Sequence, residues 1–213
     1  MYHVTFRGTH REAGLRRGRF LASHGNFILQ NAPFPVTQAR LQFAQQCVPI
    51  YRRFFPAVLQ EIEGLAEGQG CAPQALQAIL FSMYAMPPAS CCSCFAVSNG
   101  AQVFLARNSD FLLALQHWNG NVIYRLDGCC FHFTGNTTAF VEIEDGVNEH
   151  GLAAGLTSVS PGRIQPGLNA GMLLRLMLET CRTVEQALAL ARRVPIASAQ
   201  TLTLADASGA IAV

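Results

Sequence analysis

The spacing of apolar residues changes once along the chain, near residue 89. Before that point it has the helical period. Val4-Thr5-Phe6 predicts a short strand, with a turn at Gly8-Thr9. From His10 to about Leu29 the apolar Leu15, Phe20, Leu21 and Phe27 lie among arginines and predict a helix. Gly14, Gly18 and Gly25 either weaken that helix or let another approach it closely. A second helix is predicted from Val36 to Phe54, and a third opens at Pro56 and closes at Gly68-Gln69-Gly70. Pro73 opens a fourth, which runs to about Met86 and is stopped by Pro87-Pro88. Beyond residue 89 the period shortens to that of strands. Cys92–Val97 and Gln102–Arg107 flank Ser98-Asn99-Gly100, a hairpin signal. Residues 111–118 are expected to form a loop or short helix. Strands are predicted over 121–126, 130–133, 139–143 and 152–158. Helices follow over 170–181 and after the cap Thr183, then strands over 200–205 and 210–213.

Composition narrows the classes. Of 213 residues, 50% are apolar and 13% charged, which excludes a disordered chain and requires extensive burial. A net charge of +2 gives no electrostatic footprint for nucleic acid. The arginines at 11, 16, 17 and 19 are expected to be a solvated helix face. The apolar run at 75–86 is too short to span a bilayer, and the N-terminus lacks a signal-peptide core, so a cytoplasmic protein with no membrane partner is expected. The eight cysteines form no C-x-x-C, and no histidine stands at a finger-like spacing from them. They predict buried thiols, with no metal and no cofactor; a thiol-redox or zinc protein is the weaker alternative.

The chemistry concentrates in the hairpin. Cys91, Cys92 and Cys94 crowd its first strand, and its second ends Arg107-Asn108-Ser109-Asp110. A thiol attacks only as thiolate and needs a nearby base or cation. Arg107 supplies the cation and Asp110 a carboxylate to orient a proton acceptor. His117, His132 and His150 are candidates for a Cys-His pair made by folding. A cut just before Cys92 offers another base, the freed α-amine, so that one residue supplies both nucleophile and base.

The residues Cys92-Ser93-Cys94-Phe95-Ala96, Arg107-Asn108-x-Asp110-Phe111 and Val147-Asn148-Glu149-His150-Gly151-Leu152-Ala153 together resemble the peptidase C45 family. These are the isopenicillin N acyltransferase-like N-terminal nucleophile (Ntn) hydrolases, related to the choloylglycine hydrolases. Phe6-Arg7-Gly8-Thr9-His10 with Glu12, Gly14 and Gly18 is similar to the family's propeptide signature. Thr203-Leu204-Ala205-Asp206-Ala207-Ser208-Gly209 is similar to its late strand-turn. The resemblance implies an α+β fold, an Ntn αββα four-layer sandwich begun at residue 92 and preceded by a helical propeptide or small subunit at 1–91. It implies self-cleavage between Cys91 and Cys92, with Cys92 as nucleophile and α-amine base. Asp110 would hold that amine, and Arg107 would sit beside the thiol and the substrate carbonyl. Asn108 and Thr157 are oxyanion or substrate candidates. Thr157 comes in because Gly155-Leu156-Thr157-Ser158 stands where some relatives carry an oxyanion asparagine. A strand left half-written at Val213 predicts a chain truncated at its C-terminus.

The implied activity is hydrolysis of linear amide C–N bonds, or acyl transfer through an acyl-enzyme on Cys92. The expected partners are a small acyl or amide substrate and an acyl-CoA or amine acceptor, with the propeptide still attached to the mature segment. The non-enzymatic alternative is an uncleaved or truncated family member acting as a scaffold.

Overall fold

A computed structural model describes residues 2–86, 91–110, 116, 118–128 and 131–213, with Cys91 described by its backbone. The elements run β1 (Tyr2–Gly8), α1 (His10–Ser23), α2 (Ile28–Asn31), α3 (Gln38–Phe54), α4 (Pro56–Gln69), α5 (Pro73–Ser82), β2 (Cys91–Ser98), β3 (Val103–Asp110), β4 (Gly120–Leu126), β5 (Phe133–Thr137), β6 (Asp145–Asn148), β7 (Ala153–Thr157), α6 (Ala170–Thr180), α7 (Val184–Arg193), β8 (Thr201–Ala205) and β9 (Ile211–Ala212). Thr9 starts α1 with a reciprocal cap. Its hydroxyl accepts from the Glu12 N–H at 3.2 Å while the Glu12 carboxylate accepts from the Thr9 N–H at 2.7 Å. Thr37, Asn169 and Thr183 cap α3, α6 and α7 in the same way on one side. Pro56 and Pro73 sit in first helical turns, where a missing N–H costs nothing.

Among the described residues, seven strands form one sheet in the order β1-β4-β5-β6-β7-β8-β9, and β2-β3 form a second. Within the large sheet β1 and β4 pair in parallel, and the other neighbours are antiparallel. The segment before Cys92 therefore supplies a strand to the large sheet as well as helices. The β2-β3 hairpin packs face to face on β7 and β8, and α6 packs on β6, β7 and β8. The side chains separate those two faces. Leu178 of α6 lies over Gly146, whereas Cys94 of β2 lies over Gly155. The fold is α+β, with a helical layer, the large sheet and the hairpin stacked in that order.

The helical layer is tightest where α1 crosses α4. A Cβ on Gly14 would run into the Glu61 carbonyl, and one on Gly64 into the Arg11 carbonyl. Gly18 and Gly68 meet one another's backbones. The glycines thus serve close approach rather than helix breaking, and the backbone contact offsets their entropic cost. A buried ionic network ties the layers together. Arg175 of α6 donates to Glu61 of α4 at 2.5 and 3.0 Å, to Glu179 at 2.8 Å and to the Val141 carbonyl at 2.6 Å. His10 of α1 meets Glu179 at 3.1 Å. Pairing on this scale is what lets a fully buried guanidinium persist.

Five sequence expectations need correction. The arginine face is not wholly solvated: Arg17 is 1% exposed, with its guanidinium 4.6 Å from the centroid of the Phe6 ring. The first helix ends at Ser23 rather than Leu29, because Gly25 turns the chain at φ 73°. α5 ends at Ser82, not Met86, and Tyr84 adopts a left-handed φ of 57°. The strand expected at 130–133 begins at Phe133. The apolar run 139–143 is no strand. Ala139, Phe140, Val141 and Ile143 are buried, but the chain turns there, with Phe140 at φ 61°. Its polar backbone is satisfied by Arg175 and by the Gly171 carbonyl instead of by a ladder. The strand comes just after it, as β6. The loop expected at 111–118 falls mostly outside the described residues.

Candidate active site

The hairpin ladder decides which side chains meet. Cys92 pairs with Ser109, Cys94 with Arg107 and Cys91 with Asp110. Alternation then puts Cys92, Cys94 and Arg107 on one face and Asn108 and Asp110 on the other. The first face looks onto the large sheet. The second is the outer face, where Phe95, Val97 and Phe104 are exposed.

On the inner face Arg107 is held at every nitrogen. Its Nε donates to the Leu156 carbonyl of β7 at 2.7 Å. One terminal nitrogen donates to Glu144 and Asp145, both at 3.3 Å. The other donates to Cys92 Sγ at 3.1 Å. The Arg107 side chain is only 4% exposed. Burial alone would pull its pKa down, but Glu144, the Cys92 sulfur, Asp145 and Tyr84 outweigh that and raise it. A permanent positive charge is thus fixed against one thiol.

The carboxylates are themselves positioned. Glu144 accepts from the Tyr84 hydroxyl at 2.7 Å and from the Thr138 hydroxyl at 2.6 Å. Asp145 accepts from Asn136 at 2.6 Å. Burial pushes the Asp145 carboxyl up, against the pull of Asn136 and Arg107. Four other cysteines behave as buried or part-buried thiols. Burial pushes Cys47 up to about 11 and also raises Cys71, Cys94 and Cys181. Cys94 fits over β7 because residue 155 is glycine; a Cβ there would lie 2.6 Å from its sulfur.

The structure brings Cys92 and Arg107 together. Thr157 lies on the same face of β7 as Gly155, one residue past the carbonyl that takes Arg107. Asp110 and Asn108 are not brought to the sulfur. They bond to each other at 2.6 Å on the outer face. Arg107 makes its ion pairs with Glu144 and Asp145 rather than with Asp110. Of the histidines weighed as bases, His132 pairs with Glu149 at 3.5 Å and His150 packs edge-on to Phe131; His117 lies outside the described residues. Asn148 is a structural bolt, donating to the Leu178 and Cys181 carbonyls at 2.9 and 2.7 Å.

Glu144, Asp145 and Tyr84 were not among the sequence candidates. The signal available was Val141-Glu142-Ile143-Glu144-Asp145, three acids inside an apolar run, which demands a buried cation nearby. A groove of about 370 Å³ opens beside the site between β3 and the large sheet. Val103, Phe104 and Leu105 form one wall and Asn121, Asn136 and Asp145 lie on the other. Among the described residues no cluster of three ligands suits a metal ion, and no helix is long and apolar enough to cross a membrane.

The family model for acyl-coenzyme A:6-aminopenicillanic acid acyl-transferase matches residues 97–213, more than half of the chain. The chain belongs to that family. The match includes Arg107, Glu144 and Asp145, and begins five residues after Cys92. Among solved structures, penicillin V acylase from Agrobacterium tumefaciens is similar, at 21% identity and a TM-score of 0.34, over 55% of this chain and 33% of that one. This chain thus spans about a third of that structure's length. A comparison with curated proteins returned no match.

Proposed function

We propose that this acyl-transferase family member is a cysteine Ntn enzyme that cuts itself between Cys91 and Cys92 and then uses Cys92 on a small acyl compound. The observation that carries the reading is the Arg107 guanidinium 3.1 Å from Cys92 Sγ, in a setting where it stays charged. The guanidinium is the cation that a thiol nucleophile needs beside it.

In the proposed cycle the freed α-amine of Cys92 takes the thiol proton. The thiolate adds to the carbonyl of an amide or thioester, the C–S bond forms and the C–N or C–S bond of the substrate breaks. The leaving amine or thiol takes the proton back from the α-ammonium. Water then releases the acid, or an acceptor amine takes the acyl group. Asp110 stands in register with Cys91, at the strand end where a cut would create the new amine. That register supports its role as the group holding the amine once the strand is severed. Thr157 is the proposed donor toward the oxyanion, and Asn108 a substrate contact at the strand end. The part-apolar groove along β3 suits the chain of an acyl group, with its polar end at Asp145.

The test is to incubate the purified protein with an aryl-amide or acyl-thioester substrate, quench in acid and weigh the Cys92-bearing peptide. An added acyl mass on Cys92, absent in Cys92→Ala, is the expected result. Turnover that survives Cys92→Ala with no adduct would refute the reading.

A further inference from the structure

Tyr84 holds a backbone conformation that a bulky residue rarely adopts. It lies two residues past the end of α5, in the segment before the proposed cut, and its φ is 57°. For a bulky side chain that is an outlier. Three separate contacts hold it there. The Tyr84 hydroxyl donates to Glu144 at 2.7 Å, and its carbonyl accepts from the Ser198 hydroxyl at 3.2 Å. Its ring lies against Gly171, where a Cβ would come within 3.2 Å of the ring edge.

We propose that Tyr84 is a positioning residue for Cys92, acting through Glu144 and Arg107. The inference rests on the reading of Cys92 as nucleophile. Glu144 has two oxygens and divides them. Oε1 is taken by the Tyr84 hydroxyl, the Thr138 hydroxyl and the Thr138 N–H at 2.7, 2.6 and 3.2 Å. Oε2 alone reaches Arg107, at 3.3 Å. That division leaves the second terminal nitrogen of Arg107 on the sulfur. Without the Tyr84 proton, Oε1 loses a neutralising donor. The carboxylate then competes with the Cys92 sulfur for the same guanidinium, and the thiolate loses its partner. The segment before the cut thus supplies a part of the finished site. Among the described residues, the charged and titratable groups facing this array are Cys94 and Arg107 from the hairpin, Glu144 just before β6, Asp145 at its start, and Glu142 behind Tyr84.

The experiment is the pH profile of Cys92 alkylation by iodoacetamide in the full chain. The modified Cys92 is resolved from Cys94 by fragment mass. Tyr84→Phe removes the proton and keeps the ring. Its alkylation at neutral pH is expected to slow about tenfold, with the profile displaced to higher pH. In the Glu144→Gln background the same substitution is expected to leave the profile unmoved. An unshifted profile in a Tyr84→Phe protein with unchanged Tm overturns the proposal, as does an equal shift in both backgrounds. Should Glu144→Gln not fold, the Tyr84→Phe profile decides alone. Activity that survives Cys92→Ala would refute the nucleophile, whereas the alkylation profile reads Tyr84 independently of turnover.

Discussion

Arg107 and Glu142 show two outcomes of burying charge. Arg107 meets two carboxylates, a carbonyl and a sulfur, and stays charged. Glu142 is fully buried and, among the described residues, neither of its oxygens has a hydrogen-bond partner. Asn169 lies beside it, but both its amide protons go to the Leu80 and Met83 carbonyls at 2.6 and 2.8 Å. Burial, with the charge of Glu144 added, pushes the Glu142 carboxyl well above 4.5, so the folded protein holds it neutral. An acid raised in this way contributes stability that is complete below its unfolded value and is lost as pH rises through its folded value. The free energy of unfolding is therefore expected to fall as pH rises above the ordinary carboxylate range. Glu142→Gln should flatten that fall, as measured by urea denaturation across a pH series. The acids at 142, 144 and 145 were visible in the sequence, but their partner was not, since nothing local links residue 107 to residue 144. The pleat was legible. Arg107 and Asp110 are three positions apart, and an odd offset on a regular strand puts them on opposite faces.

At the scale of elements, the hairpin and most helices were legible because their signals are local. Asn99-Gly100 turns the hairpin, with Gly100 at φ 86°, and Thr9, Thr183, Pro56 and Pro73 mark helix starts. The run 139–143 misled because a buried turn and a buried strand are equally apolar; an arginine distant in sequence decides between them. The glycines of α1 left two readings open, and the α1–α4 contact selects one. Gly14→Ala would push a methyl into the Glu61 carbonyl and the Leu65 N–H, neither of which can rotate away. It is expected to cost about 1–3 kcal/mol in denaturant unfolding. Gly25→Ala meets no neighbour and carries only the strain of its positive φ, about 1 kcal/mol. Equal costs at the two sites would show that the helices do not cross as closely as described.

For the molecule as a whole, the proposed cut would divide a unit that is continuous in both sheet and core. β1 pairs with β4 over seven residues, and Arg175 bonds to Glu61 across the same division. The two products are therefore expected to stay together under native conditions and to separate only in denaturant. The direct measurement is the mass of the purified full-length protein in acid, beside its elution in native buffer. Two masses, one beginning at Cys92, are expected to co-elute natively, and Cys92→Ala should give a single intact mass. An intact wild-type chain whose amide or acyl-transfer activity is unchanged by Cys92→Ala would contradict the proposed cut and nucleophile.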